Sequence, residues 1–67
     1  MGQHEEYAQT ITAVVDLIEF FRAGHSTSAS IVAERYGVSQ RTAQRWLQLV
    51  PRWVPLERKG WNYRRAE

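Results

Sequence analysis

Apolar residues in the first third of the chain recur at steps of three and four. Tyr7, Ile11, Val14, Val15, Ile18 and Phe21 keep this period, which is the period of an α-helix with one buried side. The spacing predicts a helix over residues 5–23. Glu5 and Glu6 suit its positive end and Arg22 its negative end, and Gly24 can stop it. A second apolar set, Ala13, Leu17 and Phe20, lies roughly opposite the first. A helix that is apolar on nearly all sides is usually covered on both. Two covers fit: Trp53 or Trp61 folding back from the C-terminal segment, or a second copy of the chain in a homodimer through Leu17 and Phe20.

The polar run HSTSAS, residues 25–30, reads as a connection. Ser28 is placed to cap a second helix over residues 29–36, and Gly37 ends it where a positive φ is needed. Ser39 is placed to cap a third helix over residues 40–50, which Pro51 stops. Helices joined by so few residues must cross steeply. Beyond them, Pro51 and Pro55 break the helical pattern. LERKGWNYRR then places Lys59-Gly60 between two short runs that can extend. This predicts a β-hairpin over about residues 54–65. With the turn at Lys59-Gly60, Leu56, Arg58, Trp61 and Tyr63 share one face, and Glu57, Asn62 and Arg64 share the other. The expected fold is mainly α, a three-helix bundle with a small C-terminal hairpin, in one domain over residues 1–67.

The third helix is divided along its length. Ala43, Trp46, Leu47 and Val50 fall at i, i+3, i+4 and i+7, while Arg41, Gln44, Arg45 and Gln48 repeat that spacing on the opposite side. The first line anchors the helix, with Trp46 in the core. The second is free to project. Arg and Gln make paired hydrogen bonds to guanine and adenine edges in the major groove, and no acid in this helix neutralises its arginines.

Charge strengthens this reading. The net charge is only +2, but it is unevenly spread. Residues 1–23 hold Glu5, Glu6, Asp16 and Glu19 against Arg22. Residues 24–67 hold Arg35, Arg41, Arg45, Arg52, Arg58, Lys59, Arg64 and Arg65 against Glu34, Glu57 and Glu67. A basic half on a small domain points to a polyanion, most often nucleic acid. With 67 residues and 43% hydrophobic content the chain can build one small core. It has no cysteine, which excludes a disulfide scaffold and fits a reducing cytoplasm. No apolar run approaches the roughly 18 residues of a membrane span, and the polar start MGQHEEY is unlike a signal peptide.

Other chemistry finds little support. His4 and His25 have no ligand spacing between them. Asp16 and Glu19 fit a solvated helix face better than a catalytic pair, and no Ser or Thr sits in a nucleophile motif. Trp53 and Trp61 are read as packing residues, and Arg35 as solvent-facing. The expectation is therefore a non-enzyme without metal, cofactor or small-molecule ligand.

The stretch ASIVAERYGVSQRTAQRWLQ, from Ala29 to Gln48, resembles a DNA-binding helix-turn-helix. Ala33 stands at the small position of the first helix and Gly37 at the turn, with Val32, Tyr36, Val38, Ala43 and Trp46 at the apolar positions. With the hairpin included, the chain resembles the N-terminal winged helix-turn-helix of bacterial DeoR-like and WYL-type transcription regulators. In that family GVSxRTxxRxL opens the recognition helix, and a P-hydrophobic-E-R…G-Y-R hairpin forms the wing. GVSQRTAQRWL and VPLERKGWNYR are similar to both. Two features depart from the pattern: Trp61 and Asn62 replace the usual small wing-tip residues, and no effector domain follows the hairpin.

The resemblance implies that Ser39, Gln40, Arg41, Thr42, Gln44, Arg45 and Gln48 occupy recognition-helix positions. Arg41, Gln44 and Arg45 would read bases, while Ser39, Thr42 and Gln48 would meet phosphate. Arg58, Lys59, Arg64 and Arg65 would grip phosphate from the wing. The implied function is a sequence-specific regulator of transcription, a repressor by promoter occlusion, bound to double-stranded DNA in a bacterial or phage-infected cytoplasm. A phage excisionase-like architectural factor and a winged-helix module that binds protein are the alternatives.

Overall fold

The computed structural model describes residues 2–66 in backbone and residues 8–66 in side chains, so the side chains of His4, Glu5, Glu6 and Tyr7 lie outside it, as does Glu67. In order come α1 (Gly2–Arg22), β1 (Thr27–Ser28), α2 (Ala29–Tyr36), α3 (Gln40–Leu49), a turn of 3-10 helix (Val50–Arg52), β2 (Leu56–Lys59) and β3 (Asn62–Arg65). The chain is thus mainly helical, with a small antiparallel sheet of strand order β1-β3-β2. No helix among the described residues is long and apolar enough to cross a membrane.

The helix ends follow local chemistry. Past α1, Gly24 takes φ +90, its N–H donates to the Phe21 carbonyl at 2.9 Å, and that of His25 donates to the Phe20 carbonyl at 3.3 Å. This pair of bonds closes the helix as a Schellman motif, which needs a residue able to adopt positive φ. Ser28 caps α2 by accepting from the Ile31 N–H. Gly37 ends α2 at φ +67, with the Val38 N–H on the Ala33 carbonyl. Ser39 caps α3 by accepting from the Thr42 N–H at 3.1 Å. The third helix stops at Leu49, and Val50 begins the 3-10 turn with Pro51 inside it.

The core joins Ala13, Val14, Leu17 and Phe21 of α1 to Val32 and Ala33 of α2. Ala43, Trp46 and Leu47 of α3 complete it with Val50 and Val54. This corrects the face expected for α1 in part, since Val14 and Phe21 are buried as expected. Ile11 is 65% exposed and Val15 is also exposed, whereas Ala13 and Leu17 are buried. The reason lies in polar residues that an apolar period does not count. Thr10 accepts a bond from the Trp46 indole N–H at 3.3 Å, which fixes the α3 side of the helix. Gln9 donates to the Tyr36 carbonyl, and the Tyr36 hydroxyl donates to Asp16, which fixes the α2 side. Burial and the Asp16 charge hold the Tyr36 hydroxyl above its ordinary pKa, so it stays a donor.

Leu17, at 4% exposure, is therefore a core residue and cannot form the homodimer surface expected of it. Phe20 is half-buried with its ring on His25 and Phe21, at centroid distances of 4.8 and 5.9 Å. Neither Trp53 nor Trp61 packs as expected, for both are exposed.

Two further differences concern the sheet. Thr27 and Ser28, expected in a connection, are buried and pair with Tyr63 and Asn62 of β3. A two-residue strand has no period to detect, and its partner lies far along the chain. The β2–β3 turn is Gly60-Trp61 rather than Lys59-Gly60, because Lys59 pairs with Asn62 and Arg58 with Tyr63. Gly60 has φ +64, and among the described residues only glycines have positive φ. A two-residue turn with positive φ at its first central residue alone is the type II′ pattern, which selects Gly there. Moving the turn takes Trp61 out of the face expected for it and leaves the other expected face-mates together. Leu56, Arg58 and Tyr63 share one face, and Glu57, Asn62 and Arg64 the other.

Candidate nucleic-acid interface

α3 is held from behind. Ala43, Trp46 and Leu47 are buried, and the Tyr36 and Trp46 rings meet edge to face at 5.5 Å between centroids. That contact ties α2 to α3 across the short Gly37–Ser39 link and sets their crossing. With the inner line buried, Gln40, Arg41, Gln44, Arg45 and Gln48 are all exposed. They form one continuous polar face without an acid.

This face has two halves. Gln40, Gln44 and Gln48 line a cleft of about 510 Å³ whose other wall is the hairpin, with Arg58, Trp61 and Tyr63. Arg45 borders a second open hollow of about 570 Å³ on the other side, beside Ser39, Thr42 and Trp46. Arg41, one turn before Arg45, extends that side. Arg41, Gln44, Arg45 and Gln48 make no side-chain bond to any described residue, so their donors are available. Gln40 is less so, because its amide donates to Ser30 Oγ at the start of α2. Ser39 is occupied too. Its Oγ accepts from the Thr42 N–H and donates to the Thr42 hydroxyl at 3.1 Å. Ser39 thus caps the helix with Thr42 as its partner, and the other N–H groups of the first turn are what remains for an anion.

The hairpin residues separate by role. The Lys59 side chain is exposed and makes no bond to a described residue. Arg58 donates from Nε to the Gly60 carbonyl at 3.0 Å, and its guanidinium lies 6.0 Å from the Trp61 ring centroid and 5.8 Å from that of Tyr63. Arg64 forms an ion pair with Glu57, its cross-strand partner. Arg65 donates to the Arg22 carbonyl at 2.9 Å, satisfying the negative end of α1 and tying the sheet to that helix. Of the four cations expected to grip phosphate, Lys59 is the least committed, Arg58 is positioned by aromatic rings, Arg64 is half-neutralised, and Arg65 serves the fold. The cross-strand pairing that commits Arg64 follows from the register, which the sequence alone leaves open.

One member of this surface has no counterpart among the expected site residues, Ser30, which holds Gln40; Tyr63, expected on the Arg58 face, backs Arg58, and Trp61, expected to pack, stands 82% exposed at the turn. Among the described residues no three His, Cys, Asp or Glu side chains converge as metal ligands do. Comparison with protein-family models, curated proteins and solved structures finds no match to the chain.

Proposed function

We propose that the chain is a winged helix-turn-helix domain that binds double-stranded DNA in a sequence-specific way and regulates transcription, acting as a repressor by occluding a promoter. The observation that carries this reading is the acid-free outer face of α3, where Arg41, Gln44, Arg45 and Gln48 stand exposed and uncommitted on a helix fixed from behind. A helix anchored in this way can enter the roughly 12 Å major groove and present paired donors to guanine and adenine. The α3 N-terminus and Lys59 then supply the sequence-independent grip on phosphate.

Binding by two copies related by a two-fold axis belongs to the same reading, with the paired helices about 34 Å apart on successive turns. Since Leu17 is core, the exposed apolar residues of α1 that could serve such pairing are Ile11 and Val15. An architectural DNA-binding factor is the second reading, favoured by the exposed Trp61 at the hairpin tip.

Selection of binding sites from random duplex DNA, followed by footprinting, tests these readings together. A discrete palindrome supports a paired regulator, and clustered direct repeats support the architectural factor. Absence of salt-sensitive binding to any duplex contradicts both and leaves the protein-binding module.

A further inference from the structure

Trp61 has no role in holding the fold. Its side chain is 82% exposed, and a type II′ turn asks for Gly at Gly60 but for nothing bulky after it. An indole left in water at a hairpin tip exposes a large apolar surface without a packing gain. The ring is nevertheless oriented. Arg58 lies over it at 6.0 Å and is itself held by the Gly60 carbonyl and by Tyr63. The result is a flat apolar blade with a cation against it.

The cleft between α3 and the hairpin says where such a blade would go. In duplex DNA a single strand separates the major groove from the minor groove. A molecule that straddles this strand with α3 in the major groove carries the far rim of the cleft to the minor groove, and Trp61 lies on that rim. The minor groove is only about 6 Å wide, which admits a ring on edge. Its negative potential complements Arg58, while Glu57 is turned to the other face of the hairpin and paired with Arg64.

We infer that Trp61 is a minor-groove wedge, which inserts between two base pairs of duplex DNA beside the segment read by α3 and kinks it. The inference rests on the duplex-binding reading above and deepens it. Apolar side chains inserted in this way unstack a base step and bend the duplex toward the major groove by about 20–90°. The bend would wrap more DNA on a chain whose own surface is small.

The experiment uses the full chain, a duplex site selected by the wild type, 2-aminopurine placed in turn at the positions under the hairpin, and circularly permuted fragments to measure bending. The wild type should raise 2-aminopurine fluorescence at one step and bend the site. Trp61→Ala should melt at the wild-type temperature and protect the same bases opposite α3. It should bind about 10- to 100-fold more weakly, leave 2-aminopurine quenched and leave the DNA straight. Trp61→Phe, which keeps a flat ring, should restore most of the bend. If Trp61→Ala bends and unstacks the site as the wild type does, or if the wild-type complex is straight with 2-aminopurine quenched, the wedge is wrong while reading by α3 stands. Failure of the wild type to bind any duplex would remove the duplex-binding reading itself, and it would be seen before a variant is made.

Discussion

α3 and the β2–β3 hairpin face the same cleft, yet they are built on opposite terms. α3 buries Ala43, Trp46 and Leu47 and leaves its polar face uncommitted. The hairpin buries none of its residues fully; Leu56 and Tyr63 are only half-buried. It is held instead by pairing with β1, by the Arg65 bond to the end of α1 and by the Glu57–Arg64 ion pair. Burial fixes a helix to within small displacements because packed interiors deform little. Exposed ion pairs and a two-residue edge strand do not. A rigid element suits reading bases, whose hydrogen bonds tolerate little misplacement. A softer one suits gripping backbone and following its deformation.

The largest test of this contrast is Trp46→Ala. It should destabilise the fold by about 3–5 kcal/mol. A 67-residue chain has on the order of 3–10 kcal/mol to lose, so thermal melts by circular dichroism should show a much lowered transition or none. An unchanged melt would mean that α3 is not held by its inner line.

Next in size are Arg41→Ala and Arg45→Ala. Each should cost about 1–3 kcal/mol of binding to a selected site and relax base preference at one position, while leaving the melting temperature unchanged. Both point away from the core, so loss of stability in either would contradict the division of the helix.

The hairpin should respond differently. Lys59→Ala should weaken binding to all duplex sequences alike and make the log–log dependence on salt shallower by about one unit. Arg64→Ala should do so by less, because Glu57 already engages its guanidinium. Equal effects would show that the ion pair opens on DNA, and a change in preferred sequence would show that the hairpin reads bases.

The smallest effect concerns Tyr36, which positions α2 against both α1 and α3. Its pKa is raised above the ordinary 10.0, chiefly by burial and then by Asp16. A group raised in the folded state favours folding fully below its unfolded pKa, and the contribution is lost as pH climbs through the higher folded value. Spectrophotometric titration should therefore show one tyrosine ionising late, and Tyr36→Phe should abolish that component with little loss of stability.

How much could be read from the sequence varied with how local the determinants are. The α3 stripe, the Ser28 and Ser39 caps and the positive-φ Gly37 rest on residues within one or two turns of each other, and each stands where expected. The buried face of α1 does so only at Val14 and Phe21. Ile11 and Val15 keep the helical period as well as Leu17 does. The choice among them is made by Thr10 and Asp16 meeting Trp46 and Tyr36, far along the chain. β1 is invisible for the same reason, since Thr27 and Ser28 become a strand only when β3 arrives. The turn slipped by one residue because Lys59-Gly60 and Gly60-Trp61 both contain the glycine, and only the φ demand at the first central position separates them. The exposed face of α3 was legible as chemistry, but the division of its cleft wall from its arginine side needed the hairpin in place.

The measurement that bears most directly on base reading by α3 is a coupling between protein and DNA changes. Guanines of a selected site are replaced one at a time by 7-deazaguanine, which removes the major-groove N7 acceptor and little else. Affinities are then measured for the wild type, Arg41→Ala and Arg45→Ala. At one or two positions the replacement should weaken the wild type by about 1–3 kcal/mol and have almost no further effect on one of the arginine variants, giving a coupling energy of similar size. Losses that simply add at every position, or a wild type indifferent to every replacement, would contradict reading of the major groove by Arg41 and Arg45.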